Sequence, residues 1–335
     1  MRIAVDAMGG DYAPKQIVLG AVEAALKLPA VSRMVLVGEE QAIRRELAGC
    51  PKVPPTVEIR HASEAVGMDE PPAQAIRRKK DSSISRGIDL VKSGDADAFV
   101  SAGNTGAVVV AATLKLRTLE GVERPAIATV LPTQDRPFVL IDAGANTDCT
   151  PTLLAQFGMM GSIYSRVILG RPDPVVGLLS IGGEDIKGNE LTKEAFGLLQ
   201  KSALNFRGNV EGHDLFVGKT DVVVCDGFIG NIVLKTSESA AHAIGHWMKQ
   251  EFRRNPVRLL GALMLRGALK AMKRKMDPEM YGGAPLLGVN GICIITHGAS
   301  SWRAIYHAIR VGCEAAEQRL NDSITGEIGK MGAVR

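Results

Sequence analysis

Five short stretches of this chain combine glycine with small polar residues directly after an apolar run: 6–11 (DAMGGD), 101–106 (SAGNTG), 142–146 (DAGAN), 182–189 (GGEDIKGN) and 226–231 (DGFIGN). Glycine leaves room for an anion to approach main-chain N–H groups, and a turn of such groups is an anion cradle. Asn104, Thr105, Asn146, Asn189 and Asn231 can add neutral hydrogen bonds, and Lys187 is the one cation within the five stretches. His297, set between an apolar run and Gly298, is a further site candidate. Gly and Asn make tight turns wherever they occur, so any one stretch reads most simply as a turn. Five together point to a crevice that binds a phosphate-like group.

Other chemistries lack their residues. There is no Gly-x-Gly-x-x-Gly dinucleotide fingerprint and no Gly-x-Ser-x-Gly nucleophile elbow. Gly218-Lys219-Thr220 resembles the end of a P-loop, but the first glycine that motif needs would be residue 213, which is His. His242 and His246 stand four apart on a predicted helix without a third ligand, so they read as packed or surface histidines. None of the five cysteines lies in a nucleophile setting. Anion cradles and hydrogen-bond donors without a nucleophile suit a reaction in which phosphate itself attacks an activated acyl group. Catalysis then consists of positioning and of stabilising the oxyanion and the phosphate charge.

The elements that must hold these turns alternate strand and helix. The clearest is VVVCDGFIGNIVLK (222–235), where an unalternating apolar run, as in a strand buried on both faces, meets Asp226, a glycine turn over 227–230 and a helix expected from Asn231. Upstream, strands are expected at 2–6, 34–38, 56–60 and 98–101. Helices are expected after Pro14, over 41–48, from Pro71-Pro72 through the basic AQAIRRKK, and over 81–93. Residues 126–131 and 138–142 read as two strands joined by a turn, an antiparallel departure, followed by a helix over 151–169. A strand over 175–181, a helix over 191–203, a brief strand at 215–217, a strand at 292–296 and a last helix to about 320 complete the order, with a frayed glycine-rich end. This is an α/β fold with a mostly parallel sheet and helices on both faces. Parallel strands would bring all five turns to one side of the sheet and into one crevice.

With 46% hydrophobic residues and 37 glycines in 335 residues, the composition is that of a large α/β enzyme, and 4% aromatic residues argue against stacking platforms for single-stranded nucleic acid. Widely separated cysteines in odd number (Cys50, Cys149, Cys225, Cys293, Cys313) and a start that runs straight into a strand lead us to expect a reduced, cytoplasmic protein without a membrane span. The net charge of +4 is uneven: residues 249–275 hold nine basic residues and one acidic residue. There Leu265, Leu269, Met272 and Met276 oppose Arg266, Lys270, Lys273 and Arg274 at helical spacing, which is an amphipathic helix with a cationic face. A solvated packed helix, an anionic membrane surface and an acidic protein partner all remain open for it, whereas nothing resembles a nucleic-acid recognition fold.

The ordered motifs DAMGGD (6–11), SAGNTGA (101–107), DAGAN (142–146), LLSIGGED with KGN (178–189), DVVVCDGFIGN with VLKT (221–236) and GGAPLLGVNG with HGAS (282–300) resemble, over essentially the whole chain, the bacterial phosphate acyltransferases of the PlsX type. The resemblance implies a Rossmann-like fold similar to phosphotransacetylases and isocitrate dehydrogenases, in a single domain over 1–335 with a projecting helical arm at about 238–280. It implies reversible transfer of a fatty acyl group from acyl carrier protein to orthophosphate, giving acyl phosphate for phospholipid synthesis, with no metal and no organic cofactor. It further implies a homodimer, cytoplasmic and peripherally bound to an anionic membrane surface, that hands its product to a downstream glycerol-3-phosphate acyltransferase. On this basis Gly103, Asn104, Thr105 and Gly106 are expected to seat phosphate, Lys187 to neutralise it or the oxyanion, and Asn189 and Asn231 to donate hydrogen bonds. Asn146 and His297 line the site and Asp226 orients its neighbours. A phosphotransacetylase acting on short acyl-coenzyme A and a non-catalytic membrane scaffold are the competing readings.

Overall fold

The computed structural model describes residues 1–276 and 281–332. The end assigned to the arm (277–280) lies outside the described residues, as do the side chains of Lys273, Arg274 and Met276 invoked for its two faces.

Strands β1 (Arg2–Asp6), β2 (Arg33–Gly38), β3 (Val57–His61), β4 (Ala98–Ser101), β5 (Ala126–Leu131), β6 (Phe138–Ile141), β7 (Val176–Leu179), β8 (Phe206–Val210), β9 (Val222–Val224), β10 (Ala284–Leu287) and β11 (Ile292–Ile295) form one sheet in the order β3-β2-β1-β4-β11-β10-β5-β6-β9-β7-β8. The first helices are α1 (Lys15–Lys27), α2 (Glu40–Ala48), α3 (Pro72–Arg78), α4 (Ser83–Lys92), α5 (Thr105–Lys115) and α6 (Pro151–Leu169). They are followed by α7 (Glu190–Gln200), α8 (Gly227–Arg253), α9 (Pro256–Met264), α10 (Arg266–Met276), α11 (Trp302–Glu317) and α12 (Leu320–Gly332). The mostly parallel α/β architecture is the one expected.

One expectation about the sheet fails. β1, β2, β3, β4 and β11 are mutually parallel, and so are β6, β9, β7 and β8, but β10 is antiparallel to both β11 and β5, and β5 is antiparallel to β6. Three antiparallel steps reverse direction, so the two parallel halves point opposite ways. The five turns therefore fall into two groups at opposite edges, not in the single row the sequence analysis expects.

Several local expectations are also corrected. Residues 215–217 form a turn, and the strand of that region is β8, whose FRGNV lacks an apolar run because it is a half-exposed edge strand. β10 escaped notice because APLL is short and contains Pro285. The C-terminal stretch is not frayed through its length: α12 buries Leu320, Ile324 and Ile328, four residues apart on one face. Gly227 opens α8 instead of preceding it, and Gly230 lies inside the helix. The amphipathic basic segment is divided at Leu265, between α9 and α10.

Other segments match. Thr150 caps α6 through Leu153 N, Pro151 occupies its first turn, and Gly170 at φ 65° ends it in the left-handed region. α6, α7 and α12 pack on one apolar cluster over β5, β6, β7 and β9, while α1 and α11 cover Ile3, Val5, Met34 and Leu36. α8 has 27 residues, hence about 40 Å, against a strand β9 of three residues, about 10 Å. It must overrun the sheet, and its buried residues are Gly227 and Gly230 alone among those described. No helix among the described residues is long and apolar enough to cross a membrane.

Candidate functional site

The first group of turns closes the carboxyl ends of β1, β4 and β11. Asp6, 1% exposed, accepts hydrogen bonds from Met8 N (3.1 Å) and Ser101 Oγ (2.7 Å). Burial pushes the Asp6 carboxyl above its ordinary range, opposed by hydrogen bonds from Ser83, Ser101, Met8 and Gly9. A Cβ on Gly9 would lie 2.3 Å from Asp6 Oδ2 and 2.7 Å from Gly103 N, so glycine is what allows the two turns to touch. Asp11 N donates to Gly298 O at 2.8 Å, which ties the third turn in.

Within this group the expected phosphate ligands separate into free and spent. Gly103 N donates to Ser101 Oγ at 3.0 Å. Asn104 caps α5 by accepting from Ala107 N (3.0 Å), and its amide donates to the carbonyls of Gly67, Met68 and Glu70 at 3.0–3.2 Å. Asn104 is thus a clamp on the 62–70 loop, with no donor left for a ligand. Thr105 is exposed and Gly106 half-buried in the first turn of α5, where main-chain N–H groups face outward with the positive end of the helix dipole. His297 is exposed beside them, its Nδ1 accepting from Ala299 N at 3.1 Å.

The second group closes β6, β7 and β9. Asp142, fully buried, accepts from Ile127 N, Gly144 N, Ala145 N, Asn146 N and Asn146 Nδ2 at 2.7–3.1 Å. Burial pushes this carboxyl up, and the ring of donors pulls it back. Asn146 also donates to Pro125 O (2.8 Å) and is a structural brace, with its amide bonded to protein on both counts. Asp226 caps α8, its Oδ1 accepting from Ile229 N at 2.8 Å. A Cβ on Gly230 would lie 1.9 Å from Asp142 O, so α8 sits directly on this turn. Asn231 is half-buried in α8, its side chain against Gly144.

On the neighbouring turn, Lys187 is exposed and its stem folds over Gly182. Asn189 caps α7, its Oδ1 accepting from Thr192 N at 2.9 Å and Thr192 Oγ1 at 3.0 Å. The 182–189 turn is fastened to β8 and its following loop through Gly183 N to Glu211 Oε1 (3.0 Å) and Asn209 Nδ2 to Glu184 O (2.8 Å). Phe228, Ile229 and Ile232, near Asn231 in α8, and Ile181 and Ile186, on either side of the Gly182–Gly183 pair before Lys187, are exposed apolar residues. Sequence reasoning missed these residues and the two buried carboxylates. An Asp closing each apolar strand was the visible cue, but burial of a charge cannot be read without its neighbours.

The P-loop reading fails on geometry. Thr220 leads directly to β9 with no helix to follow, so the Gly218-Lys219-Thr220 stretch is not a P-loop. His242 and His246 are exposed on α8. Burial pushes Cys149 up to about 11 and Cys293 to about 12, and raises Cys225 well above the ordinary thiol, so none is poised as a thiolate. Among the described residues one grouping has metal-ligand spacing, Glu211, His213 and Asp214, on the loop after β8.

The fold is shared with solved enzymes of low sequence identity. A phosphotransacetylase from Streptococcus pyogenes superposes with TM-score 0.61 at 19% identity over 94% of each chain. A 4-hydroxythreonine-4-phosphate dehydrogenase from Klebsiella pneumoniae superposes with TM-score 0.53 at 16% identity, covering 94% of this chain and 99% of that one. In sequence, the chain is 51% identical over 336 residues to a phosphate acyltransferase of Desulfitobacterium hafniense, covering 100% of both. It is 51% identical over 328 residues to a phosphate acyltransferase of Pelotomaculum thermopropionicum, covering 98% of this chain and 95% of that one. The model of the fatty acid synthesis protein family matches residues 1–323. With two half-sheets, glycine turns that expose helix N–H groups, and full-length relatives at this identity, the chain belongs to the fatty acid synthesis protein family of phosphate acyltransferases.

Proposed function

We propose that the protein transfers a fatty acyl group reversibly from acyl carrier protein to orthophosphate, releasing acyl phosphate and the free carrier thiol for phospholipid synthesis. The observation that carries this reading is full-length identity of about half to relatives named phosphate acyltransferase, joined to a site with anion cradles and no nucleophile of its own. Phosphate supplies the attacking oxygen, the C–S bond breaks, and the protein contributes position and charge.

In this mechanism phosphate rests on the main-chain N–H groups of Thr105 and Gly106. Lys187 and Asn231 stabilise the oxyanion that forms on the thioester carbonyl. Asn104 and Asn146 act by holding the turns, since their side-chain amides donate within the protein, while Asn189, which caps α7 through Oδ1, keeps its amide N–H groups to donate at the site. The two groups of turns must then flank one crevice. Twist of about 20–25° per strand pair accumulates to roughly 100–125° over the five steps from β4 to β9, which rotates one edge toward the other and supports that arrangement. Lys187→Ala and Asn231→Ala test it: a folded protein with near-normal acyl phosphate formation would sink these roles.

The arm formed by the end of α8 with α9 and α10 is the membrane-facing part of a single-domain, cytoplasmic homodimer. Val257, Leu260, Leu263 and Met264 are at least 60% exposed beside Arg258, Arg266 and Lys270, the composition of an interfacial helix. Acyl phosphate delivered at that surface is placed for a glycerol-3-phosphate acyltransferase downstream. The deciding experiment is phosphate-dependent release of acyl carrier protein from a long-chain donor, run beside short acyl-coenzyme A. Preference for coenzyme A would make this a phosphotransacetylase, and no phosphate-dependent thioester consumption at all would leave a membrane scaffold.

A further inference from the structure

Four consecutive cations, Arg77, Arg78, Lys79 and Lys80, close α3 and follow it, with no acid between Pro71 and Lys80; Asp81, the next residue, is engaged by Arg86. Lys79 is engaged: its Nζ pairs with the Glu70 carboxylate and donates to Ala65 O. Arg77, Arg78 and Lys80 are exposed and make no ion pair among the described residues. Cations in the last turn of a helix interact favourably with its dipole, but Arg77, Arg78 and Lys80 have no carboxylate partner among the described residues, so their charge is open to an outside one.

Position gives this charge a use. α3 starts against the first turn of α5: a Cβ on Gly106 would lie 2.6 Å from Pro72 Cγ, and Asn104 Nδ2 donates to Glu70 O at 3.0 Å. Seven residues of helix span about 10 Å, so the cations stand one short helix away from the free N–H groups of Thr105 and Gly106. Their surroundings differ from those of the arm. Ala75 and Ile76 are buried in the core, which leaves α3 displaying charge without apolar companions, whereas the arm sets exposed leucines beside its cations. Lipid insertion needs an apolar face; recognition of an acidic protein surface needs cations, which steer and orient the encounter.

We propose that the cationic end formed by Arg77 and Arg78 of α3 and Lys80 just after it is the docking surface for an acidic carrier protein that presents its acyl thioester to the adjacent 101–106 turn. This rests on the carrier-protein reading given above and adds where that donor binds. The two cationic surfaces then divide the work: the arm takes lipid and α3 takes the carrier.

The test uses the full chain with long-chain acyl carrier protein and phosphate, comparing wild type with the triple variant Arg77→Glu, Arg78→Glu, Lys80→Glu. The expected result is a rise in KM for the acylated carrier on the order of tenfold or more, with kcat and co-sedimentation with anionic vesicles unchanged. A milder rise is expected for the Gln triple variant, which keeps the fold argument separate from charge. The wild-type KM should climb with ionic strength and the Glu variant's should not. A wild type that consumes the carrier thioester alongside a Glu variant with unaltered KM overturns the docking surface alone. A variant that keeps its KM but loses vesicle binding assigns α3 to lipid and also overturns it. Failure of the wild type to consume the carrier thioester overturns the functional reading on which the inference stands.

Discussion

Gly230→Ala asks whether the contact between α8 and the 142–146 turn fixes the second half of the site. Helix propensity alone favours Ala over Gly by about 1 kcal/mol in a helix interior. Against it, the new Cβ would lie 1.9 Å from the Asp142 carbonyl oxygen and 3.0 Å from Cys225 Sγ. Ordinary C···O contacts begin near 3.3 Å, so α8 must retreat by about 1.4 Å from a backbone atom, not from a flexible side chain. Overpacking of this kind costs about 1–3 kcal/mol or more, which outweighs the propensity gain. With the backbone clash at the upper end of that range, the expected net loss is about 1–2 kcal/mol, read as a lower urea midpoint at constant m-value, with a fall in phosphate-dependent acyl release because Asp226 and Asn231 move with the helix. Gly197→Ala in α7 is the control, since a Cβ there meets nothing within 4 Å; it should gain roughly 0.4–1 kcal/mol. A Gly230→Ala protein as stable as wild type would refute the reasoning, because it would mean that α8 does not rest on Asp142.

Other consequences are as direct. Asn104→Ala removes a helix cap and leaves the carbonyls of Gly67, Met68 and Glu70 without their shared donor, so we expect a loss of about 2–4 kcal/mol and faster limited proteolysis within 62–70; wild-type resistance to protease would contradict the clamp. Leu265→Glu with Leu269→Glu should abolish co-sedimentation with anionic liposomes while soluble turnover persists, and unchanged co-sedimentation would remove the membrane role of the arm. Glu70 and Asp81 are held below the ordinary carboxylate range, first by the side-chain hydrogen bonds from Lys79 and Ser63. Their contribution is therefore present at neutral pH and lost as pH falls below about 4, so amide exchange in 62–81 should accelerate there before the sheet opens. With Cys149 pushed up to about 11, its thiolate fraction at pH 8 falls roughly two to three orders of magnitude below that of a free thiol, and iodoacetamide treatment of the native protein should leave activity intact.

What the residues settled by themselves was local. Thr150-Pro151 and Gly170 bracket α6 because capping and left-handed φ are decided by the residue in place. The apolar runs at Val222–Val224 and Ala98–Ser101 read as buried strands because both faces of a central strand are covered. Composition, the five glycine turns and the missing nucleophile pointed to phosphate chemistry before any coordinate. The polarity reversal was not legible: β10 and β5 meet through two residue pairs, Leu286 with Ile127 and Leu287 with Ala126, from segments more than 150 residues apart. Nor could the sequence tell that Asn104 and Asn146 spend their amides inside the protein, while Asn189 caps α7 through its oxygen alone and the N–H groups of Thr105 and Gly106 open the first turn of α5. Residue type fixes what a group can donate, but only the tertiary neighbours decide whether that donor is still free.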